Sequence, residues 1–432
     1  MQVAVLARAL STLILIPLVP AVVGSAHGRA TARSLITPLQ TQAPRSDTIV
    51  KIVTGPARPP IATVRVMATV GRADGAPEHI FGNIEAFALG KDLSIFVAED
   101  QGSVANVRQF DSTGRYLRTF GRKGQGPGEF RSVDDIAIHP DGRVLVLDGS
   151  DRAINVFTAE GRYLTKWSLG DHGGFRKFFF FVNADGITHV AARQGPLVIR
   201  STTPTRSMVL RLNSSGVIMD SLVAPPAPEP PMPSSRITGR RNTGQETSIT
   251  IEFAPQFVSE ISRLGYYITG RTDRYNLDLL LPTRSGNTTV PWKPGDPITS
   301  LRRNQPLTPF PEAERTLIRE RIDRSMQNGT GWNWNGGEVP RNRPAFLFLI
   351  TDNNGRIYSV GFDHNHRYTA EEFADFDDEA THMWEITEPD GRLIGAVRTE
   401  PRQIIIPTFG DNVLLFAFGT DVPQISRAKL IW

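Results

Sequence analysis

The chain has 432 residues, 40% of them apolar, and carries 48 Lys and Arg against 44 Asp and Glu. That suffices for one large closed β structure or for two or three ordinary domains. The net charge of +4 is modest and scattered, which argues against nucleic acid as a partner, and the lack of cysteine excludes disulfides, thiol catalysis, thiolate metal ligation and a lipoprotein anchor.

The N-terminus reads as an export signal. Met1–Arg8 holds one basic residue, Ala9–Val23 is an apolar run of 15 residues broken by Pro17 and Pro20, and Gly24–Gly28 supplies small residues for cleavage. A spanning helix needs about 20 residues, so this layout suits a secretory signal peptide over 1–28. The alternative is a retained N-terminal anchor. Residues 29–47 are small and polar and read as a flexible leader. These features place the chain in the periplasm or outside a bacterial cell, with no membrane span after cleavage. The globular part is 48–432, and its first extended candidates are Thr48–Val53 and Ala62–Val70.

A repeat follows. The pattern F-x-x-x-G-R-Y-L occurs at Phe110–Leu117 and again at Phe157–Leu164, 47 residues on. Short strands and turns at that period are a propeller signature. The first blade is expected as Ile84–Leu89, Leu93–Ala98, Val107–Phe110 and Arg115–Phe120. The second is expected as Asp135–Ile138, Val144–Leu147, Ile154–Phe157 and Tyr163–Trp167. A degenerate third blade takes Phe178–Val182, Val209–Leu212 and Gly216–Asp220. The fourth takes a strand near Ile249–Phe253, then Phe257–Ser262, Tyr266–Thr269 and Asn276–Leu281. The fifth takes Phe346–Thr351, Ile357–Gly361, Met383–Thr387 and Leu393–Val397. The sixth has Gln403–Ile406, Asn412–Gly419 and Ile425–Trp432, one strand short. A strand within Thr48–Val70 is expected to complete it and close the ring, because open sheet edges invite aggregation. The fold expected is all-β: a six-bladed β-propeller of four-stranded antiparallel blades, closed by an N-terminal strand, with one helical insertion.

Two insertions interrupt the repeat. Ala224–Ser235 holds six prolines and with Arg236–Gly244 makes a long Pro-rich, basic loop over 224–244. Pro309–Met326 reads as a helix, with Pro311 in its first turn, Glu312 and Glu314 at its positive end, and Ile318, Ile322 and Met326 on one apolar stripe that packs on the propeller.

Between the first two blades lies Gly121–Phe130, GRKGQGPGEF, too rich in glycine for a helix or strand interior. No helix follows it, so it is not a phosphate cradle. Followed by HPDGRVLVLDGSDRAINVFTAEGRYL, it resembles NHL-type repeats. The whole chain resembles exported bacterial six-bladed propellers of the NHL and TolB-like group. The asparagine-arginine pair common in such repeats is replaced here by Ser150-Asp151-Arg152-Ala153. The resemblance implies a propeller whose ligand sits on the loop face or at the channel mouth. Related propeller lactonases and lyases hold metals in the channel.

Three groups of residues suit chemistry. His364 and His366 are spaced so that a strand would put both imidazoles on one face, a zinc arrangement, with Asp375, Asp377, Asp378, Glu379 and His382 following; the alternative is a solvated polar loop. Glu85 and Asp134, 49 residues apart with Asp135 adjacent, stand at equivalent starts of innermost strands, where a ring of carboxylates suits Ca²⁺; the alternative is blade-to-blade hydrogen bonding. Trp332 and Trp334, set among asparagines and glycines, suit stacking on a sugar; the alternative is packing. No G-x-S-x-G, phosphate loop or H-E-x-x-H motif is present. The expected function is a monomeric exported binding or scaffold module for a protein, carbohydrate or small molecule, requiring no cofactor. The alternative is a channel-metal hydrolase or lyase resembling propeller lactonases.

Overall fold

The computed structural model describes residues 48–432 apart from 57–58, 174, 176–178, 195–205, 224, 226–235, 241–245, 286–287, 291, 294–295, 305, 328–337, 365, 375 and 419–421. The export signal, the leader, most of the Pro-rich loop and both Trp332 and Trp334 lie outside the described residues.

The chain is mostly β, arranged as four-stranded antiparallel meanders that succeed one another. The first is Ile84–Leu89, Ile95–Gln101, Val104–Phe110 and Tyr116–Phe120, and the second is Asp135–Ile138, Val144–Asp148, Ala153–Phe157 and Tyr163–Ser168. Their inner strands are buried on both sides, as Val144–Asp148 shows, because each sheet is sandwiched between neighbours. The third is Phe180–Val182, Thr188–Gln194, Arg206–Leu212 and Ile218–Val223. The fifth is Phe348–Thr351, Ile357–Phe362, His382–Thr387 and Leu393–Thr399. The last has Gln403–Pro407, Asn412–Ala417 and Gln424–Ile431, and Ile61–Val70 pairs antiparallel to Gln424–Ile431 as its fourth strand.

The fourth meander departs from expectation. It begins at Phe257–Ile261, runs through Tyr267–Arg271 and Asn276–Leu280, and takes Ile298–Arg302 as its outer strand, with Thr48–Ile52 added in parallel beyond that. Ile249–Phe253 is not its first strand. Glu246–Thr250 instead pairs with Arg236–Arg240 in a separate hairpin, and Ile251 is buried against helical residues such as Ile318. Burial against an insertion produced the apolar run that reads as a strand.

The turns repeat one device. In Asp111–Gly114 the Asp111 carboxylate accepts the amides of Thr113 and Arg115, and Gly114 takes a φ of 85°. These bonds, that to the Thr113 hydroxyl foremost, hold Asp111 well below the usual carboxylate range. Glycine is demanded for a second reason at the corresponding turns downstream. A Cβ on Gly161 would lie 2.6 Å from the Phe120 ring, and one on Gly216 would lie 2.1 Å from Trp167. Each turn is therefore pressed onto the outer strand of the preceding meander.

Successive meanders share apolar layers. Phe120, Phe130 and Phe157 lie between the first and second, and Trp167, Leu145 and Phe180 between the second and third. Phe181, Leu222 and Ile261 join the third to the fourth, and Leu277, Phe346 and Ile357 join the fourth to the fifth. One large cluster unites the fifth, the last and the first, with the rings of Phe87 and Phe416 5.4 Å apart.

The loop Gly121–Phe130 is ordered from within. The Glu129 carboxylate accepts the amides of Gly126 at 2.8 Å and Gln125 at 2.9 Å and the Arg122 guanidinium at 2.7 Å. A Cβ on Gly121 would strike the Phe130 ring at 2.1 Å. The loop's donors are turned onto its own carboxylate, so its glycines serve packing.

The helix starts at Glu312 and runs to Gln327, with Ile318 and Ile322 buried as expected. Glu314 does not simply face solvent at the positive helix end. It is buried against an arginine described below.

Candidate binding face

In an antiparallel meander, the connection from second to third strand and the exit from the fourth leave from the same end. The long connections 224–256, 303–347 and 363–381 all emerge there. The opposite end carries the short turns 90–94, 139–143, 183–187, 262–266 and 352–356, and its one long excursion among the described residues is 281–297.

The described parts of these connections build, with Phe362, a common cap with a core of its own. Phe253 is at its centre, its ring 5.0 to 6.2 Å from those of Phe376, Phe362, Phe310 and Phe373. Its φ of 58° is costly for a bulky residue, and this aromatic cluster is what holds it there. Arg343 runs beneath. It is buried; its Nη2 donates to both Glu314 oxygens at 2.7 and 2.9 Å, its Nη1 donates to the Asp363 carbonyl, its Nε is buried without a hydrogen-bond partner, and its guanidinium carbon lies 5.2 Å from the ring centres of Phe362 and Tyr368. Two oxygens on one guanidinium nitrogen, a carbonyl on the other and aromatic rings around them make this buried ion pair tolerable.

Ion pairs fasten the cap to the sheets. Arg398 on the outer strand of the fifth meander meets Asp363 at 2.5 Å. Arg402, between the fifth and last meanders, pairs with Glu379. Within the cap, Arg321 on the helix pairs with Glu252 at 3.0 Å and donates to the Phe373 carbonyl, tying the three connections to one another.

The sequence-derived candidates sort as follows. His364 and His366 do not share a strand face, because the strand ends at Phe362 and the next residue, Asp363, is held by Arg398 and Arg343. His366 lies 2.6 Å from Glu372, whose other oxygen accepts the Thr369 amide. His364 is exposed at its surface, yet burial of the ring lowers its pKa. His382 is on the following strand, buried against Phe376, and burial pushes it down to about 4. Among the described residues no group of three or more His, Asp or Glu side chains has the geometry of a metal site.

The strand-start carboxylates are engaged by their own surroundings. Asp134 accepts the Gly149 amide and the Ser132 hydroxyl, each at 2.7 Å. Glu85 accepts from the Asn83 amide group at 2.5 Å where the strand register shifts. Asp135 is buried and accepts the Ile136 amide at 2.8 Å. The equivalence read from spacing extends to Glu99 and Asp148. Glu99 accepts the Gly82 amide and pairs with Arg108, while Asp148 accepts the amides of Arg131, Ser132 and Asp151. Asp100 accepts the Val133 amide and so ties the first meander to the second.

Two residues carry more than their sequence surroundings announce. Arg343 sits in an unpatterned Pro340–Arg343 stretch. Arg263, in a hairpin turn, lies 5.1 Å from the Phe181 ring and feels both Asp135 and Glu260. Burial lowers its pKa while those carboxylates pull it back. No spacing rule marks either residue, since Arg343 meets Glu314 on the helix and Arg263 meets Phe181 and Asp135 of earlier meanders.

A family model for 6-bladed beta-propellers matches residues 81–172, the first two meanders. No curated protein matches the chain. Among solved structures, a Bacteroides fragilis protein named as exported is 8% identical, with a TM-score of 0.43, covering 89% of this chain and 100% of that one. Virginiamycin B lyase from Staphylococcus aureus is 10% identical at a TM-score of 0.38, over 86% and 100%. A gluconolactonase from Xanthomonas campestris is 11% identical at 0.33, over 87% and 98%. The sheets are propeller-like, and among the described residues no helix is long and apolar enough to cross a membrane.

Proposed function

We propose that the meanders are six blades of one closed, NHL-like propeller, and that the chain is an exported bacterial binding module whose ligand docks on the capped face. The carrying observation is the one-sided placement of the long connections, built into a cap with its own aromatic core and pinned by Arg343, Arg398 and Arg402. Functional surfaces concentrate on loops held by a rigid scaffold. Ring closure is supported by the Ile61–Val70 pairing and by the shared layer between first and last meanders.

The hydrolase or lyase reading needs strand-start carboxylates available as ligands. Asp134, Asp135 and Glu85 are instead spent on amides and hydroxyls nearby.

The test pairs a pull-down from bacterial extract with metal analysis. The bait is the mature chain beside a variant with exposed helix residues Thr316, Arg319 and Glu320 changed to Ala. Capture by the wild type and its loss in the variant supports the capped face. Equal capture by both, or a stoichiometric metal whose chelation lowers the melting temperature, overturns the reading.

A further inference from the structure

The N-terminal stretch does more than supply one strand. Thr48–Ile52 pairs in parallel with Ile298–Arg302, and the Val53 amide donates to the Arg302 carbonyl at 2.7 Å. Next, the Thr54 amide donates to the Gly391 carbonyl at 3.0 Å, and the Leu393 amide to the Thr54 carbonyl at 2.8 Å. The Ala396 amide then donates to the Pro60 carbonyl, and Ile61 and Ala62 run parallel to Ala396 and Val397. From Thr63 to Val70 the chain pairs antiparallel with Ile431 back to Ile425. It is a strap laid across the outer edges of the fourth, fifth and last meanders.

Its two ends are held very differently. In the first part Ile49, Val50 and Ile52 are 55%, 45% and 51% exposed, and the apolar side chain that reaches a core cluster there is the half-buried Val53, at the cluster's edge. In the second part Ala62, Ala68 and Val70 are 5%, 7% and 0% exposed and belong to the largest core cluster. A segment held mainly by backbone bonds opens locally at low cost, whereas one locked into a core opens only with the domain.

We propose that the strap is a two-part latch: residues 48–56 lift off the fourth and fifth meanders in the native protein while 61–70 stay paired. Lifting uncovers the N–H and C=O groups along the edge of Ile298–Arg302 that Thr48–Ile52 covers. The strap passes from the fourth meander to the fifth between Val53 and Thr54, and at Gly55, where a Cβ would lie 2.8 Å from Leu393, glycine lets the backbone lie close on the fifth meander.

The test is native-state hydrogen exchange on the full chain, beside a variant lacking 48–56. The expected result is that the amides of Val53, Thr54 and Leu393 exchange at least about tenfold faster than the paired amides of 63–70 and 425–431. The truncated variant keeps one cooperative melt and unchanged protection in 63–70, while Ala68→Asp abolishes the fold. Equal protection along the whole strap overturns the proposal. So does failure of the truncated chain to fold, or wild-type stability of Ala68→Asp.

Discussion

Asp352 opens the turn of the fifth meander with its side chain wholly buried. One carboxylate oxygen accepts the amides of Asn354 and Arg356, each at 2.9 Å, and the other is buried with no hydrogen-bond partner. Desolvation dominates over these bonds and over Arg356, and raises the pKa from 3.8 to about 6. The sign is that of a raised acid. Below about pH 4 the group is protonated in both folded and unfolded chains and costs nothing. As pH rises towards and past 6, the folded protein must ionise a carboxyl that the unfolded chain ionises freely. Two units at about 1.4 kcal/mol each give a penalty of about 3 kcal/mol at pH 8. Asp352→Asn keeps the acceptor oxygen for both turn amides and removes the charge, though its amide group inherits the unpartnered site at a cost of about 1 kcal/mol. Urea unfolding of wild type and variant from pH 4 to 8 reads the difference, in which all other titrations cancel. The variant is up to about 1 kcal/mol less stable than the wild type at pH 4 and about 2 kcal/mol more stable at pH 8, with most of the swing between pH 4 and 6. A difference that stays flat with pH, or moves against the variant as pH rises, refutes the reasoning.

Other consequences are as specific. Arg343→Met leaves Glu314 charged and buried and costs about 3–5 kcal/mol, and adding Glu314→Gln recovers most of it in a double-mutant cycle of urea melts. Gly216→Ala, with φ at 83° and Trp167 at 2.1 Å, lowers the melting temperature far more than Gly75→Ala, where φ is 107° and nothing lies within 4 Å. His189 and His382, both pushed to about 4 by burial, stay neutral at pH 5.5 in an NMR titration. Since the unfolded chain protonates them near 6.5, stability is present above that pH and lost as pH falls from 6.5 to 4.

The repeats were legible where turn chemistry and strand period agree. Asp111–Gly114, Asn183–Gly186 and Asp352–Gly355 each show an acceptor side chain and a left-handed glycine, and each is the hairpin turn the sequence implies. The fourth meander was misread because its outer strand, Ile298–Arg302, follows an excursion, while the apolar residues nearer at hand, Ile251 and Phe253, belong to the cap. Alternation reports burial and not the identity of the partner. His364 and His366 failed for the same reason, since a His-x-His reading presumes a strand, and Arg398 and Arg343 end that strand from outside it.

The carboxylates teach the complementary point. Glu85 and Asp134 recur at a fixed spacing, and so do Glu99 and Asp148, which in isolation suits a ring of metal ligands. In the structure Glu99, Asp134 and Asp148 accept backbone amides just outside the strands, those of Gly82, Gly149, Arg131 and Ser132, while Glu85 accepts from the Asn83 side chain. A repeat fold faces this need once per unit, because each new sheet begins where the ladder of the previous one has ended, and a buried amide without an acceptor costs about 1–3 kcal/mol. Periodicity of a carboxylate is therefore what backbone satisfaction predicts. A ligand site would instead break the repeat, as the cap does: Phe253, Arg343 and the helix Glu312–Gln327 have no counterparts in the first two meanders, where the connections are short. The departures from the repeat, more than its recurring residues, mark the face on which the proposed ligand would dock.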